Sequence, residues 1–174
     1  MKINKILRNN QVNGPGVRYV IWFQGCSIHC DGCLNTDTWE FGIGEDWTAS
    51  QLFEDINKQK IDGITLTGGE PLYQLKEVEE FLRLVFPIYN IFLTTGYDFD
   101  EVPDEIVRLV DILVSGQFDK NLLDTTPQWR GSTNQVIHFL TDRGKKFQDY
   151  KPKYKTEIRI SKKDFETIKN GFSI

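Results

Sequence analysis

Short apolar runs alternate along the chain with segments in which apolar residues recur at helical spacing. The runs are rich in β-branched and aromatic residues and predict strands. The predicted strands are Val17–Gln24, Ile64–Thr67, Asn90–Thr94, Asp111–Val114 and Gln135–Leu140. The predicted helices are Trp47–Lys58, Gln74–Phe86 and Glu101–Val110. Strands that alternate with helices of this length predict an α/β fold of right-handed βαβ units with parallel strands.

Glycine and polar residues follow four consecutive predicted strands directly. Gly25 ends the first, and the segments Thr67–Pro71, Thr95–Tyr97 and Ser115–Phe118 follow the next three. In parallel α/β sheets, ligand sites lie at the carboxyl ends of the strands. We therefore expect these segments to meet at one edge of the sheet and to form the functional site there.

All three cysteines of the sequence, Cys26, Cys30 and Cys33, fall within eight consecutive residues. An odd number of cysteines packed this tightly does not suit a disulfide framework and indicates metal or redox chemistry. The C-x3-C-x2-C spacing lets three thiolates bind one cluster, whereas a fully protein-ligated [4Fe-4S] cluster needs a fourth cysteine. One iron would therefore stay open to a ligand from outside the chain.

Zinc is the competing metal, because the three cysteines and His29 make a nominal Cys3His set. Neighbouring residues such as His29 and Cys30 seldom both reach one tetrahedral ion, and the paired CxxC arrangement common in zinc sites is missing from the sequence. A non-catalytic iron–sulfur electron carrier is a further alternative. The spacing alone favours an iron–sulfur cluster over zinc without excluding the zinc site. It does not decide between an enzyme and an electron carrier.

The motif T-G-G-E-P at 67–71 stands where a predicted strand meets a loop. Gly68 and Gly69 let the backbone approach a bound molecule closely, Glu70 offers an acceptor, and Pro71 fixes the exit of the chain. A purely structural turn explains the motif equally well. Beside a three-cysteine loop, however, such a turn suits an ammonium-bearing ligand next to the open iron.

Composition restricts the possible classes of protein. The chain has 174 residues, of which 39% are hydrophobic, and this is enough for one core. A formal net charge of −4 does not suit a globally basic nucleic-acid binder. No apolar run approaches the roughly 20 residues that span a bilayer, and residues 1–10 do not resemble a signal peptide. We therefore expect a cytoplasmic protein with neither a membrane nor a direct nucleic-acid partner.

Charge is distributed unevenly between the two parts of the chain. Residues 1–140 carry 11 Lys and Arg against 20 Asp and Glu, whereas residues 141–174 carry 10 against 5. We expect residues 1–140 to form the core domain and residues 141–174 to form a basic C-terminal extension, packed on the core or appended to it. A solvated edge strand and terminal helix would explain the same charges more simply.

Six sequence blocks resemble the radical S-adenosylmethionine (SAM) superfamily, and within it the activating proteins of anaerobic (class III) ribonucleoside-triphosphate reductase. In chain order the blocks are VNGPGVRYVIWFQGC, DGCLNTDTW, TLTGGEPL, TTGY, DILVSGQF and WRGSTNQ. They cover residues 12–138, and their order and spacing make a chance match improbable. The resemblance implies that residues 1–140 form a partial, open β/α barrel of the radical SAM type with parallel strands.

The same resemblance implies the cofactors and the residues that bind them. Cys26, Cys30 and Cys33 would hold a [4Fe-4S] cluster, and SAM would chelate the fourth iron through its amino and carboxylate groups. The implied SAM contacts are Gly32, Cys33 and Leu34 near the adenine, Gly68, Gly69, Glu70 and Pro71 near the methionine amino group, and Thr95 and Gly96 near the ribose. No catalytic residue beyond the cluster ligands is implied.

The implied activity is that of an oxidoreductase that cleaves SAM reductively and generates a glycyl radical on the large subunit of the reductase. A flavodoxin-like protein would supply the electrons. Another glycyl-radical enzyme or a peptide is the alternative target.

Two positions depart from the common pattern of the superfamily. Gly32 stands where many members carry an aromatic residue, so adenine stacking from that position is lost. Ser115 stands where the family usually has an aspartate, and this puts any acidic role there in doubt.

Overall fold

The structure is a computed structural model that describes residues 1–126 and 128–152, and beyond them the backbone of two strands. In chain order the elements are β1 Lys2–Asn10, β2 Arg18–Phe23, β3 Glu45–Asp46, α1 Ala49–Ile56, β4 Gly63–Gly68, α2 Leu75–Val85, β5 Asn90–Thr94, α3 Asp104–Val107, β6 Ile112–Ser115, β7 Val136–Phe139, α4 Asp142–Lys145, β8 Thr156–Ile160 and β9 Thr167–Gly171.

Seven strands form one open sheet in the order β3-β1-β2-β4-β5-β6-β7. The four central strands, β2, β4, β5 and β6, are parallel, and the outer strands pair antiparallel with their neighbours. Strands β8 and β9 form a separate antiparallel pair. The predicted fold class, an open α/β sheet with parallel strands, is confirmed, and the antiparallel edges add to it.

One face of the central sheet is apolar and packs against the helices. Alternate residues of the parallel strands point to this face, and all of them are buried: Tyr19, Ile21, Phe23, Ile64, Leu66, Ile91, Leu93 and Leu113. The helices contribute Leu52 and Ile56 from α1 and Val78, Phe81, Leu82 and Val85 from α2. This layer is the main hydrophobic core.

The opposite face carries polar and aromatic side chains. At the intervening strand positions stand Trp22, Thr65, Thr67, Phe92 and Thr94, which border an internal cavity. Because successive residues of a strand point to opposite faces, one side of the sheet forms the core and the other side borders the cavity.

Arg18 lies at the amino end of β2 and is fully buried on the mixed face. Its guanidinium donates to Oγ1 of Thr65 at 3.1 Å, to Oδ1 of Asn90 at 2.8 Å and to the carbonyl oxygen of Ile64 at 2.5 Å. Burial lowers the pKa of Arg18 to about 9, although Asp111 and Asp62 oppose this effect. The side chain therefore ties β2, β4 and β5 together at the end opposite to the cysteines.

One strand was not predicted from the sequence, and one predicted helix needs correction. The polar first ten residues contain strand β1, whose Ile3 and Leu7 are buried, but register shifts after Ile3 and Leu7 break the alternation that would have revealed the strand. The helix predicted over Glu101–Val110 is shortened to α3, and Pro103, which disfavours helical backbone at the preceding residue, explains why it starts no earlier than Asp104.

Residues 141–145 are fastened to the sheet through the buried Asp111. Thr141 donates to this carboxylate, and Arg143 pairs with its Oδ1 atom at 3.1 Å. Arg143 also donates to the carbonyl oxygen of Phe86 at 2.7 Å. Among the described helices, none combines the length and the apolar composition needed to cross a membrane.

Candidate active site

Three loops that follow β2, β4 and β5 interlock at the carboxyl edge of the sheet, as the sequence predicts. The N–H groups of Gly69 and Glu70 donate to the carbonyl oxygens of Phe23 and Gly25, each at 2.9 Å. The N–H of Gly96 donates to Oε2 of Glu70 at 2.8 Å. The cysteine loop, the glycine motif and the TTGY segment therefore form one connected unit.

The cysteine loop starts at the end of β2 and places its three free thiols at this edge. Cys26 is buried, and Cys30 and Cys33 are half-buried. Backbone N–H groups point at each sulfur: those of Ile28 and His29 at Cys26, that of Phe118 at Cys30, and that of Asn35 at Cys33, with an N to Sγ distance of 3.4 Å for the last. Such donors stabilise the negative charge that thiolates and cluster sulfurs carry.

Burial raises the pKa of Cys26 and of Cys30 above the ordinary thiol value, and the backbone N–H groups only partly oppose this effect. A nucleophilic cysteine needs the opposite shift, toward an exposed thiolate. Metal binding, in contrast, itself displaces the thiol proton, so a cysteine with a raised pKa in the free protein can still become a thiolate ligand. The loop therefore suits ligation better than nucleophilic catalysis.

The zinc alternative finds no support in the positions of the side chains. The imidazole of His29 stacks on Trp39 with a ring separation of 4.4 Å. Over the described part of the chain, no group of three or more His, Cys, Asp or Glu side chains converges as a single metal ion requires. A cubane differs in this respect, because each cysteine binds a different iron.

Gly32 is exposed and adopts a φ of +76°, a region that favours glycine. A Cβ atom at this position would lie 2.9 Å from Cβ of Lys120, which also pairs with Asp31 at 2.5 Å. The absence of a side chain thus lets the cysteine loop lie against the segment after β6. The departure from the superfamily's aromatic residue has a steric reason in this chain.

A cavity of about 270 Å³ lies on the mixed face of the sheet beneath the cysteine loop. Cys33 and Leu34 border it on the cluster side, and Leu34 is 64% exposed. Across the cavity stand Trp22, Thr67 and Thr94. Aromatic rings and hydroxyl groups are the partners that a nucleoside requires, for stacking and for hydrogen bonds.

The predicted SAM contacts divide between the wall and the rim of this cavity. Cys33 and Leu34 border it, whereas Gly68 to Pro71, Thr95 and Gly96 lie in the loops just above the strand residues that do. Sequence reasoning missed the wall residues Thr65 and Thr94, and it named Thr67 only as the first residue of the glycine motif. Threonine at alternate positions of otherwise apolar strands was the available signal, because it marks a second, polar face.

Gly69 could not carry a side chain in this arrangement. A Cβ atom there would lie 2.6 Å from the carbonyl oxygen of Gly25 and 3.0 Å from that of Phe23. Gly68 has a φ of +101°, and a Cβ atom on it would lie 2.7 Å from the backbone of β2. Both glycines therefore allow the motif to pack on the start of the cysteine loop.

Ser115 lies on the helix side of β6 and outside the cavity. Its Oγ lies 2.9 Å from Nε2 of His138, whose ring stacks on Phe99 at 4.3 Å. Burial lowers the pKa of His138. The pair therefore links β6 to β7 on the helix side of the sheet.

The segment after β6 supplies the remaining wall of the cavity through Trp129, Arg130 and Gln135. Arg130 is held by the buried Asp124, with 2.6 Å between Nε and Oδ2, and donates to the carbonyl oxygen of Gln135 at 2.9 Å. Gln135 in turn accepts from the N–H of Gly131 at 2.8 Å. These bonds fix a polar wall opposite β1.

The open α/β sheet, the three-cysteine loop and the cavity lined by polar and aromatic side chains define a cofactor-binding α/β protein of the iron–sulfur class. A family model described as a 4Fe-4S single cluster domain matches residues 12–138. The anaerobic ribonucleoside-triphosphate reductase-activating protein of Enterobacteria phage T4 is 36% identical over 151 residues, which are 82% of this chain and 96% of that protein. Its counterpart in Escherichia coli K12 is 38% identical over 143 residues, which are 74% and 92%.

The chain belongs to the family of anaerobic ribonucleoside-triphosphate reductase-activating proteins. Among solved structures, QueE from Escherichia coli aligns with a TM-score of 0.45 and 18% identity, over 63% of this chain and 68% of QueE. The resemblance inferred from the sequence is confirmed, and with it the radical SAM activase class and the two cofactors, a [4Fe-4S] cluster and SAM.

Proposed function

We propose that this chain installs a glycyl radical on the large subunit of an anaerobic ribonucleoside-triphosphate reductase. The observation that carries the proposal is the position of the cysteine loop at the edge of a cavity lined by polar and aromatic side chains in an open sheet. When bound there, the cluster and SAM supply the one-electron cleavage that yields a 5′-deoxyadenosyl radical. The curated relatives are named for activation of this reductase.

In this proposal Cys26, Cys30 and Cys33 hold three corners of the cluster. The backbone N–H groups that point at the three sulfurs offset the negative charge of the ligated cluster, and this raises its reduction potential toward that of a biological donor. A flavodoxin-like protein is the proposed donor, and the cytoplasm is the proposed compartment.

SAM would lie between the cysteine loop and the wall of the cavity. Backbone of Gly32, Cys33 and Leu34 would contact the adenine, and Thr95 and Gly96 the ribose. The turn formed by Gly68, Gly69 and Pro71 would present main-chain oxygens to the methionine amino group. The hydroxyl groups of Thr67 and Thr94, which share a hydrogen bond of 2.7 Å, would add donors on the wall.

The role of the open sheet is to admit the partner. A closed barrel would leave no entrance for a polypeptide segment, whereas this sheet ends at β3 on one side and at β7 on the other. A segment of the reductase that enters the cavity would exclude water from the reacting groups. Residues 1–140 would form this radical SAM core domain, and the basic residues 141–174 the extension attached to it.

Anaerobic reconstitution followed by addition of dithionite and SAM tests the proposal. We expect release of methionine and 5′-deoxyadenosine, and a glycyl radical signal in electron paramagnetic resonance (EPR) once the reductase large subunit is added. Cys30→Ala should abolish both, whereas Ser27→Ala, an exposed neighbour in the same loop, should keep both. A cluster-loaded protein that releases no 5′-deoxyadenosine would contradict the proposal.

A further inference from the structure

Glu70 belongs to the glycine motif, and the sequence resemblance groups it with the contacts of the methionine amino group. Its surroundings differ from those of a ligand-binding carboxylate. Only 1% of Glu70 is exposed, and it is not among the described residues that border the cavity. A carboxylate buried in this way presents almost no surface to a bound molecule.

The carboxylate oxygens of Glu70 are occupied by three donors from its own chain. Oε1 accepts from the N–H of Leu72 at 3.0 Å and from Oγ1 of Thr95 at 2.9 Å. Oε2 accepts from the N–H of Gly96 at 2.8 Å. Two of these three donors lie in the TTGY segment after β5, so the side chain joins two loops that are far apart in sequence.

Gly96 also lies close to the cysteine loop, so it links Glu70 to that loop. A Cβ atom on Gly96 would lie 2.6 Å from Cδ1 of Ile28, which lies between the first two cysteines. The backbone of Glu70 also bonds directly to Gly25 at the start of that loop. A displacement of the Thr95–Gly96 segment would therefore reach the cysteine loop through Ile28.

We propose that Glu70 is a positioning residue that fixes the Thr95–Gly96 segment against the cysteine loop, and that it does not bind the SAM amino group. This inference rests on the proposed function. Buried hydrogen bonds to one side-chain carboxyl group are strong enough for this role, and replacement of that group leaves its donors without their acceptor.

Glu70→Gln tests the proposal, because the amide keeps the size of the side chain but turns one acceptor into a donor. Glu80→Gln, the same change at an exposed position of α2, is the control. Binding is measured for two ligands on the cluster-loaded protein, SAM and an analogue that lacks the α-amino group. We expect Glu70→Gln to weaken both ligands by the same factor, about tenfold. A loss for SAM with unchanged affinity for the analogue would show direct recognition and would overturn the proposal.

Amide hydrogen exchange provides a readout that needs neither cofactor. We expect the amides of Leu72 and Gly96 to exchange about tenfold faster in Glu70→Gln than in the wild type or in Glu80→Gln. Unchanged exchange at Gly96 would contradict the proposal. A wild-type protein that binds SAM but fails to cleave it would refute the proposed function and leave this readout intact.

Thr95 offers a second route that leaves the carboxylate in place. Thr95→Ser keeps the donor to Glu70 and should preserve the protection of Gly96, whereas Thr95→Val removes the donor and should reduce that protection. Equal protection of Gly96 in the two variants would argue against a Glu70-centred connection.

Discussion

The two faces of the central sheet have different compositions and different tasks. The helix-facing side is apolar from Ile21 on β2 to Leu113 on β6 and is buried against the helices. The cavity-facing side places Thr65, Thr67 and Thr94 among aromatic rings. The comparison shows how one set of strands can hold the fold together on one side and receive a polar cofactor on the other.

The contrast between the faces can be measured within a single strand. Leu66→Ala removes a fully buried side chain from the helix-facing side and should lower the free energy of unfolding by about 3 kcal/mol. Thr67→Ala, one residue further on, removes a hydroxyl beside the cavity and should lower it by less than about 1 kcal/mol. Chemical denaturation of the cluster-free proteins measures both. Equal losses would mean that the cavity-facing side stabilises the fold as much as the core does.

At the carboxyl edge of the sheet, Glu70 should make the stability of the protein depend on pH. Burial raises its pKa to about 7, against an ordinary value of 4.5, although its three hydrogen bonds oppose the shift. The folded state therefore holds this proton more tightly than the unfolded state, so the contribution of Glu70 to stability falls as pH rises from about 4.5 to about 7. The fall amounts to at most about 3 kcal/mol.

The difference in unfolding free energy between the wild type and Glu70→Gln isolates this contribution, because all other groups titrate alike in both. As the pH rises over that interval, we expect the unfolding free energy of the wild type to fall relative to that of Glu70→Gln. A difference that is constant with pH would show that Glu70 has the same pKa in the folded and the unfolded protein, and would contradict the raised value.

The cavity-facing side should matter for the cofactor more than for the fold. The double change Thr67→Val and Thr94→Val keeps the shape of both side chains and removes their hydroxyl groups. We expect about tenfold weaker SAM binding by the cluster-loaded protein, with little change in stability. Thr133→Val, an exposed threonine outside this cavity, serves as the control. Unaltered SAM affinity in the double variant would place SAM elsewhere.

The smallest effect is expected on the helix side, at His138. Its burial lowers the pKa, so the unfolded state takes up a proton before the folded state does as the pH falls. Stability should therefore decline as the pH falls below the ordinary histidine value of 6.5, and this decline should be missing in His138→Gln. Parallel pH profiles for the two proteins would contradict the assigned burial effect.

Much of the fold follows from local patterns in the sequence. The parallel strands are strongly apolar and stand at regular intervals, so their order and their common edge were predictable. Strand β1 was not, because its bulges interrupt the alternation of Ile3 and Leu7. The late start of α3 follows from Pro103, whose effect on the preceding residue outweighs the apolar pattern of the segment.

The parts of the site that consist of rare or clustered residue types were predictable from the sequence. Three clustered cysteines and two adjacent glycines stand out in any sequence, whereas threonine is common and acquires meaning only when strand alternation places it beside a cavity. The connection from Glu70 to Thr95 and Gly96 spans about 25 positions and depends on tertiary packing. No local pattern could have revealed it.

The central claim is that the three thiols leave one iron of the cluster free for SAM at the edge of the cavity on the mixed face of the sheet. The EPR spectrum of the reduced, reconstituted protein, recorded before and after addition of SAM labelled with 15N in its amino group, tests this claim most directly. We predict that SAM changes the cluster signal and that the amino nitrogen shows a hyperfine coupling to it. A cluster signal that is identical with and without SAM, and free of nitrogen coupling, would contradict the account.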